Sequence, residues 1–600
     1  MRQQLWDKTA IIFDVVTRRI VIVLFAVGIF LTFVAFDVIW CMDTTFASFS
    51  FFETYATKII ATLALAGVYA LTRCRWAQIV VMALLDVLLV ANLMYFRTYY
   101  SAIPASSYLE AGNLADFKAS VTDSLRWADI VLPLITIATA VMAFRYKTTK
   151  RQPLTAVLKW WAAPLAGFAL LLTGVNLCKG GFHKSLRSVR QSAYLCSADA
   201  PIFSVFGCIW YDITDAAEPI TPEKQAEIER WLASQPKHQP ADSVTEKRSN
   251  LLIVFAESLE SWVLEKKVDG KEITPCLNRL LKEKSTLYAP NVLTQVKGGR
   301  SIDAQLMICS GLLPLMSGTY SSLYYDNTFY TIQKAMRGLK HSRSYLLTID
   351  KVSTWNQGAV ARSFGTDTII SYHDFKMTEA FGTHKRIGDA SFFQQCREKI
   401  ERGEVWKPGE SVYMQFVTYS GHAPFKLPDH LRTITFPASI PEKAADYMTT
   451  AHYTDKAIGD FVAYLKTLPQ YKETIVAIVG DHEGLASYRQ ELVDNPVCRG
   501  LVSDKQLTPF IVLNSPVGMR YDKFMGQIDI YPTLLNLMQL DAYRWHGLGQ
   551  SILDPRKQGV AVGSVMNVEG TGSDKEVERL KEAHTVSDYM LRYDWLKRLD

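Results

Sequence analysis

The sequence predicts a multi-pass α-helical membrane domain of five spans, followed by an extracytoplasmic α/β domain with a central, mainly parallel β-sheet flanked by helices. Three observations predict this architecture. Long apolar runs crowd the first 180 of the 600 residues. From Asn250 onward, short apolar runs alternate with amphipathic helical stretches. Acidic, histidine and hydroxyl side chains follow directly after two of those short runs or begin a helical stretch.

The apolar runs of the first part lie at 20–40, 58–72, 77–95, 129–144 and 158–178. A helix rises ~1.5 Å per residue, so about 20 residues cross the hydrocarbon core of a bilayer. A soluble, all-helical core is the alternative interpretation. The small number of charges inside the runs argues against it, and the sequence therefore predicts five membrane spans.

The distribution of basic residues predicts the orientation of these spans. Lys and Arg precede the first run and lie between the second and third and between the fourth and fifth, whereas the stretch 41–55 has none. Positively charged loops stay in the cytoplasm. The protein is therefore expected in the cell (inner) membrane with its N-terminus in the cytoplasm. Everything beyond residue 180 is expected to be extracytoplasmic or periplasmic. No small-residue cleavage site follows the first run, which is expected to remain as an anchor.

The chain is expected to divide at residues 180, 249 and 560. Residues 1–180 form the membrane domain, and 181–249 form interfacial helices and a linker, with Thr221-Pro222-Glu223 starting a short helix at 221–235. Residues 250–560 form the α/β domain, and 561–600 form a peripheral, solvated helical tail. Cys196 and Cys208 could be bridged or free, because spacing alone does not fix disulfide geometry. The net charge of +6 is small for 600 residues and does not indicate binding to nucleic acid.

The α/β domain is predicted from alternating strand and helix patterns. The strand candidates are 251–256, 344–349, 412–417, 474–479 and 510–514, and the helix candidates between them are 275–284, 328–340, 389–402, 442–467 and 529–540. Continuously apolar strands separated by helices indicate a mainly parallel sheet covered on both faces. In such sheets, reactive groups gather beyond the carboxyl ends of the strands.

Candidate chemistry follows that rule. The strand candidate LLIVFA ends in Glu257, and IVAIVG ends in Asp481 and His482. Ser301 follows a glycine pair and Arg300, and begins an apolar helical stretch, where the helix dipole favours negative charge. Carboxylates, a histidine and a hydroxyl make a hard site for a divalent cation. Such a cation would activate Ser301 as a nucleophile.

Each residue also has a structural interpretation. Glu257 alone is more often a cap or a surface carboxylate, and most serines beside glycines are helix caps. Glu260 and Glu483 lie close in sequence to the candidates and are expected either to support the site or to face solvent. The four candidates together, on separate strand and helix ends, are harder to explain as unrelated structural residues.

Six sequence stretches resemble the lipoteichoic acid synthase family, which comprises phosphoglycerol transferases of the alkaline phosphatase and sulfatase superfamily. They are IVFAESLES (253–261), GGRSIDAQ (298–305), SGHAPF (420–425), YTDKAIGDF (453–461), VGDHEG (479–484) and QIDIYPTLLNLM (527–538). The five predicted spans and the stretch YFRTYYSAIPASSYLEAGN match as well. The resemblance covers nearly the whole chain and implies a sulfatase-like catalytic domain at 250–560.

The resemblance also implies roles for individual residues. Glu257, Ser301, Asp481 and His482 would hold Mn²⁺, with Mg²⁺ or Zn²⁺ as alternatives, and Ser301 would be the nucleophile, where family members commonly have threonine. Two further residues, Trp355 and His422, match positions that hold the phosphoglycerol head group, and Arg300 could add to them. The family pattern Trp-Asn-Arg reads Trp355-Asn356-Gln357 here, which removes a bidentate phosphate donor.

The expected function is therefore transfer of phosphoglycerol from phosphatidylglycerol, through a covalent Ser301 ester, onto a glycan, glycolipid or polymer of the cell envelope. A phosphoethanolamine transferase is one alternative. A phosphodiesterase or sulfatase-like hydrolase is another, although the C/S-x-P-x-R signature of sulfatases is absent after Ser301. An inactive scaffold that binds envelope polymer is a third.

Overall fold

A computed structural model describes residues 2–43, 52–99, 125–146 and 220–599, apart from 317–318, 353, 382–385 and 486–487, together with isolated positions such as 103, 155 and 209. The chain divides into two compact units, Met1–Glu218 and Pro219–Asp600.

The first unit is helical throughout its described ranges. Its α-helices span Arg2–Asp43, Phe52–Thr72, Arg75–Tyr99 and Val131–Arg145, and a 3-10 turn at Trp127–Ile130 leads into the last of them. Three stretches of the described residues are long and apolar enough to cross a membrane: Ile20–Trp40, Arg75–Met94 and Trp127–Arg145. These agree with three of the five predicted spans.

The other two predicted spans are not confirmed. The second is a helix, but its apolar part, Lys58–Thr72, is shorter than a full span. The fifth, at 158–178, lies where only isolated residues are described, and so do Cys196, Cys208 and the predicted interfacial segment up to Asp215.

A glycine brings the first and last of these helices together. A Cβ atom built at Gly28 would overlap the side chain of Thr139, so the two helices approach more closely than a larger residue would allow. Small residues at helix contacts are the usual basis of packing between membrane helices. Asp37 and Lys58 form a buried ion pair between the first two helices of this unit.

The second unit is an α/β domain. Its strands, in chain order, are β1 (Asn250–Ala256), β2 (Lys267–Val268), β3 (Lys271–Glu272), β4 (Leu287–Leu293), β5 (Arg343–Thr348), β6 (Thr368–Ile370), β7 (Ala380–Phe381), β8 (Arg386–Ile387), β9 (Val412–Val417), β10 (Thr474–Gly480), β11 (Leu507–Leu513), β12 (Met519–Arg520), β13 (Met525–Gly526), β14 (Gly559–Val562) and β15 (Val568–Thr571).

Within the described residues, nine of these strands form one sheet in the order β12-β4-β11-β10-β1-β9-β5-β6, with β13 beside β4. The five predicted strands are present as β1, β5, β9, β10 and β11. The sheet is mostly parallel, as predicted, but β11 runs antiparallel to both β10 and β4. Strand β4 was not predicted. Its sequence LYAPNVL contains Pro290, which cannot donate a ladder hydrogen bond and so argues against a strand within a sheet.

Two apolar cores cover the two faces of this sheet. In β1, Leu251, Ile253 and Phe255 belong to one core, and Leu252 and Val254 to the other, because alternate strand residues point to opposite faces. Helices Ser301–Ser310, Ile332–Lys340, Ile530–Leu537 and Asp574–Arg592 contribute to the first core, and helices Pro275–Leu280, Asp389–Glu401 and Glu442–Leu465 to the second. The remaining helices of this unit are Pro222–Ser234, Tyr320–Leu323, Gln357–Ser363 and Arg489–Asp494.

The register of the central strands decides where the candidate residues emerge. Strands β10, β1, β9 and β5 are parallel neighbours, and Ala256 of β1 pairs with Gly480 at the end of β10. Both strands therefore stop at the same level, and Glu257 and Asp481 follow side by side. The loops that begin at Thr418 and Ile349 leave the same edge of the sheet.

Two regions expected to be peripheral contact the core. The segment 234–250, expected as part of the linker, leaves many residues exposed but is held to the domain: His238 pairs with Asp541 at 2.8 Å, and Val244 is buried. The C-terminal region was expected as a solvated tail, but that expectation is wrong. Its helix Asp574–Arg592 buries Ala583, Val586 and Leu591, among other residues, against the first core. The expectation was wrong because the many charged residues of this helix outnumber its apolar ones.

Substitution of Leu591 by Ala should lower the free energy of unfolding by about 2–5 kcal/mol, because Leu591 is 1% exposed and its removal leaves a cavity. Thermal unfolding of the full-length protein in detergent, followed by tryptophan fluorescence, measures the effect. Val565→Ala is the matched control: Val565 is 77% exposed, so its loss should change stability by less than about 0.5 kcal/mol. Equal midpoints for the two variants would contradict the core position of this helix.

Candidate active site

The four residues predicted to hold a metal ion converge at the carboxyl edge of the sheet. The Ser301 hydroxyl lies 3.2 Å from Oε2 of Glu257 and 3.2 Å from Nε2 of His482. The His482 Nε2 atom lies 3.4 Å from Oε1 of Glu257 and 3.6 Å from Oδ2 of Asp481. Three loops far apart in the chain thus place two carboxylates, an imidazole and a hydroxyl around one point.

The donor set fits a divalent cation. Glu257, Asp481 and His482 are buried, and each offers one ligand atom within 4.8 Å of the others. Oδ2 of Asp481 is buried and has no hydrogen-bond partner among the described residues, which is costly for a carboxylate oxygen unless a cation binds it. Carboxylate oxygens with one imidazole suit Mn²⁺, Mg²⁺ or Zn²⁺.

The burial of two carboxylates close together affects the pKa of Glu257. Burial raises the pKa of Glu257 well above its usual range, and the nearby charge of Asp481 raises it further. A neighbouring like charge in a poorly solvated pocket disfavours ionisation of Glu257. A bound dication would reverse that effect by favouring the ionised carboxylates.

Main-chain groups and an amide side chain hold Asp481 in place. Its Oδ1 atom accepts hydrogen bonds from the backbone N–H groups of Ser258 and His482, each at 2.8 Å. Its carbonyl oxygen accepts one from Nε2 of Gln527 at 2.6 Å. Because Oδ1 is committed to the backbone, Oδ2 is the atom left to face the centre of the site.

The imidazole of His482 is oriented by its own loop. Nδ1 lies 2.9 Å from the carbonyl oxygen of Glu483. Nε2, on the other side of the ring, faces Ser301 and Glu257. Such a carbonyl partner on the far nitrogen is the usual way in which a metal-binding histidine is fixed.

The turn that leads into Ser301 is strained. Arg300 has φ 51° and ψ −116°, a conformation that costs a non-glycine residue about 1–3 kcal/mol. The buried carboxylate of Asp303 stabilises the turn by accepting hydrogen bonds from the backbone N–H groups of Lys297 and Gly299, each at 2.9 Å. Ser301 then starts the helix Ser301–Ser310 with its hydroxyl toward Glu257 and His482.

Arg300 forms an ion pair with the carboxylate of Glu483. Its Nη2 atom also donates a 2.7 Å hydrogen bond to the carbonyl oxygen of Glu483 and lies 3.1 Å from Nδ1 of His482. The Arg300 side chain is 34% exposed and that of Glu483 is 8% exposed. The predicted contact of Arg300 with a head group stays a prediction.

Trp355 and His422 follow neighbouring strands of the same edge. Trp355 is half-buried at φ 53° in the loop after β5 and packs against the first core. His422 is exposed in the loop after β9, with its ring stacked on Tyr419 at a centroid distance of 5.3 Å. It comes directly after Gly421, where a Cβ atom would overlap the carbonyl oxygen of Glu257. Their role in head-group binding stays a prediction.

Gln357 occupies the position where the family pattern has arginine, and it is buried. Its Nε2 atom donates a 3.2 Å hydrogen bond to Oε1 of Gln305, which also accepts one from Gln415 at 2.8 Å. Gln305 lies one helical turn after Ser301. The amide of Gln357 therefore connects the Trp355 loop to the nucleophile helix.

Several residues support the site, and sequence reasoning assigned no role to two of them, Asp303 and Gln527. Glu260 is fully buried; it accepts hydrogen bonds from the backbone of Gly484 and Leu485 and pairs with Arg489 at 2.7 Å. Of the two expectations for it, the supporting role is the one that the structure bears out. Asp303 and Gln527 lie within the stretches GGRSIDAQ and QIDIYPTLLNLM, so the signal was present but carried no assigned role.

Comparisons with known proteins agree with this architecture. A family model described as Sulfatase matches residues 249–540, and a model of the lipoteichoic acid synthase N-terminal domain matches residues 3–225. The chain is 24% identical over 483 residues to the lipoteichoic acid synthase of Staphylococcus saprophyticus subsp. saprophyticus, covering 78% of this chain and 73% of that protein. It is also 24% identical over 489 residues to that of Staphylococcus aureus, covering 80% and 74%.

A solved structure resembles the second unit. The crystal structure of the lipoteichoic acid synthase LtaP from Listeria monocytogenes aligns with a TM-score of 0.50 and 20% sequence identity. The alignment covers 62% of this chain and 98% of that one. At this identity, the likeness concerns the fold.

Asp481→Asn should weaken binding of Mn²⁺, used as a probe, by at least about 100-fold, since loss of even an outer partner typically costs 10–100-fold. Isothermal titration calorimetry of the full-length protein in detergent measures this affinity. The control is Asp460→Asn, which removes an exposed carboxylate paired with Lys456 and should leave the affinity unchanged. An unaltered affinity in Asp481→Asn would exclude this cluster as the metal site.

Gly421→Ala should displace the main chain at Glu257, because the added Cβ would overlap its carbonyl oxygen. We expect a loss of about 1–3 kcal/mol in the free energy of unfolding together with weaker Mn²⁺ binding. Gly338→Ala, in a helix where a Cβ meets nothing within 4 Å, should be neutral or stabilising. Both variants are compared by thermal unfolding and metal titration; a stable Gly421→Ala protein with wild-type affinity would refute the close contact.

Proposed function

Because the chain is a lipoteichoic acid synthase-like member of the alkaline phosphatase and sulfatase superfamily, we propose that it is a membrane-anchored phosphoglycerol transferase. Its donor is phosphatidylglycerol, and its acceptor is a glycan, glycolipid or growing polymer of the cell envelope. The observation that carries the proposal is the position of the Ser301 hydroxyl, within 3.2 Å of both Glu257 and His482.

In the first step, Oγ of Ser301 attacks the phosphorus atom of the donor. A bond forms between Oγ and phosphorus, and the bond from phosphorus to the diacylglycerol oxygen breaks. The Ser301 hydroxyl proton passes to Oε2 of Glu257, 3.2 Å away, and from there to the leaving diacylglycerol oxygen. The product is a phosphoglycerol ester of Ser301.

In the second step, a hydroxyl group of the acceptor attacks the same phosphorus atom. The phosphoglycerol group moves to the acceptor oxygen, and Ser301 recovers its proton. The ester is shielded because Ser301 is only half-exposed and its ligand neighbours are buried.

Glu257, Asp481, His482 and Ser301 would hold a divalent cation, which we propose to be Mn²⁺, with Mg²⁺ or Zn²⁺ as alternatives. Such a cation lowers the pKa of the serine hydroxyl and offsets negative charge on the phosphoryl oxygens. The helix Ser301–Ser310 contributes the positive end of its dipole at the same point.

The membrane helices are consistent with a lipid donor. We propose that the N-terminus is cytoplasmic and that the catalytic unit is extracytoplasmic, at the outer face of the cell membrane, in agreement with the loop charges. Anchoring raises the effective concentration of a donor confined to the bilayer.

Trp355, His422 and Arg300 are proposed to hold the head group. Gln357 brings no positive charge to this group, and its amide is bonded to Gln305. Recognition of a neutral glycerol would then depend on hydrogen bonds and the Trp355 ring. A guanidinium at position 357 would repel the ammonium group of phosphoethanolamine, whereas the neutral Gln357 does not. Phosphoethanolamine is therefore the second candidate head group.

Full-length protein supplied with Mn²⁺ and fluorescent phosphatidylglycerol should release labelled diacylglycerol, and Ser301→Ala should reduce the rate by at least about 10³-fold, because no nucleophile remains. Ser391→Ala, on a helix behind the sheet, is the matched control and should retain full activity. Phosphatidylethanolamine is tested in parallel, and faster release from it would replace the proposed head group. Undiminished release by Ser301→Ala would remove the covalent mechanism.

A further inference from the structure

Glu483 and Arg300 connect two loops that carry different parts of the active site. Glu483 directly follows the ligands Asp481 and His482, whereas Arg300 directly precedes Ser301. The two side chains meet in an ion pair. Thr294, at the end of β4, donates a 3.2 Å hydrogen bond to the second carboxylate oxygen of Glu483. Glu483 is therefore held by the strand that leads to the nucleophile turn as well as by the turn itself.

The pair of Arg300 and Glu483 also places the guanidinium beside His482. Arg300 is bonded twice to the same residue, by the carboxylate and by the carbonyl oxygen of Glu483, and its Nη2 atom lies 3.1 Å from the imidazole of His482. The guanidinium thus lies against the ring whose other nitrogen faces Ser301. About a third of the Arg300 side chain remains exposed to solvent.

A fully exposed ion pair is usually worth little, but in this pair one partner is buried. Glu483 is 8% exposed, and a buried carboxylate needs a fixed partner. Because the partner is Arg300, the carboxylate limits the positions that a long and flexible side chain can adopt.

We propose that Glu483 is a positioning residue that holds the guanidinium of Arg300 beside His482, where it binds an oxygen of the phosphoryl group that Ser301 attacks. This role rests on the proposed function, which supplies the phosphoryl group. Glu483 acts through Arg300 and does not itself touch substrate. A purely structural role would stabilise the loops without affecting phosphate binding.

Inorganic phosphate is the probe that separates these roles. Its affinity for the Mn²⁺-loaded full-length protein in detergent is measured by calorimetry for the wild type, Glu483→Ala, Arg300→Ala and the double variant. We expect Arg300→Ala and Glu483→Ala each to weaken phosphate binding by at least about 10-fold. The double variant should be no weaker than Arg300→Ala alone, since coupled residues are not additive. The affinity for Mn²⁺ should change by less than about twofold in all of them.

Two further proteins complete the experiment. Glu483→Gln keeps the shape and hydrogen-bonding capacity of the side chain, and should give an intermediate affinity even if the alanine variant folds poorly. Glu491→Gln removes an exposed carboxylate paired with Lys443 and should bind phosphate as the wild type does. Wild-type phosphate affinity in Glu483→Ala, or additive losses in the double variant, would overturn the positioning role.

The proposed transfer reaction is tested separately. If no donor lipid releases diacylglycerol, but phosphate binding still depends on Glu483 and Arg300 as a coupled pair, the proposed function fails and the positioning of Arg300 stands. If transfer occurs at the wild-type rate in Glu483→Ala and phosphate affinity is unchanged, the positioning role fails and the proposed function stands.

Discussion

The site depends on one constraint: the parallel strands β1 and β10 end at the same level of the sheet. Ala256 and Gly480 are paired across β1 and β10, so the next residue on each strand is a carboxylate at the same height. A slip by one residue would turn every side chain of one strand to the opposite face. Both faces carry extensive apolar cores, so burial enforces the register, and the register brings the two acidic groups together.

That convergence has an electrostatic cost, which the surrounding residues do not fully offset. Thr418 accepts a 2.9 Å hydrogen bond from the backbone N–H of Glu257, and Ser258 donates one to its carboxylate. Yet burial and the charge of Asp481 still raise the pKa of Glu257. A site with so much negative charge and an unpartnered carboxylate oxygen is built for a positive ligand. Glu260, Asp303 and Gln527 hold the loops so that this ligand meets preset geometry.

Much of the fold and the centre of the site could be predicted from sequence, for physical reasons that differ between elements. Parallel strands buried on both faces are continuously apolar, so β1, β9 and β10 were predictable, and the groups just beyond them followed from the topology rule. Strand β4 escaped prediction because Pro290 interrupts its pattern, and the antiparallel direction of β11 leaves no local trace. Supporting roles such as those of Glu260 and Glu483 depend on contacts with Arg489 and Arg300, which no local pattern encodes.

The helix Asp574–Arg592 comes later in the chain than Glu257, Ser301, Asp481 and His482, yet it completes the core to which the helix Ser301–Ser310 belongs. Ser587 donates a 2.7 Å hydrogen bond to the carbonyl oxygen of Leu313, and Asp588 accepts one from the N–H of Met316, both in the segment that follows Ser301–Ser310. During synthesis, at about 5–20 residues per second, a growing polypeptide therefore passes through a stage in which Ser301 is made but the helix that supports its surroundings is absent. The proposed centre is complete only after the ribosome has added the helix Asp574–Arg592, so a shorter nascent chain lacks this support.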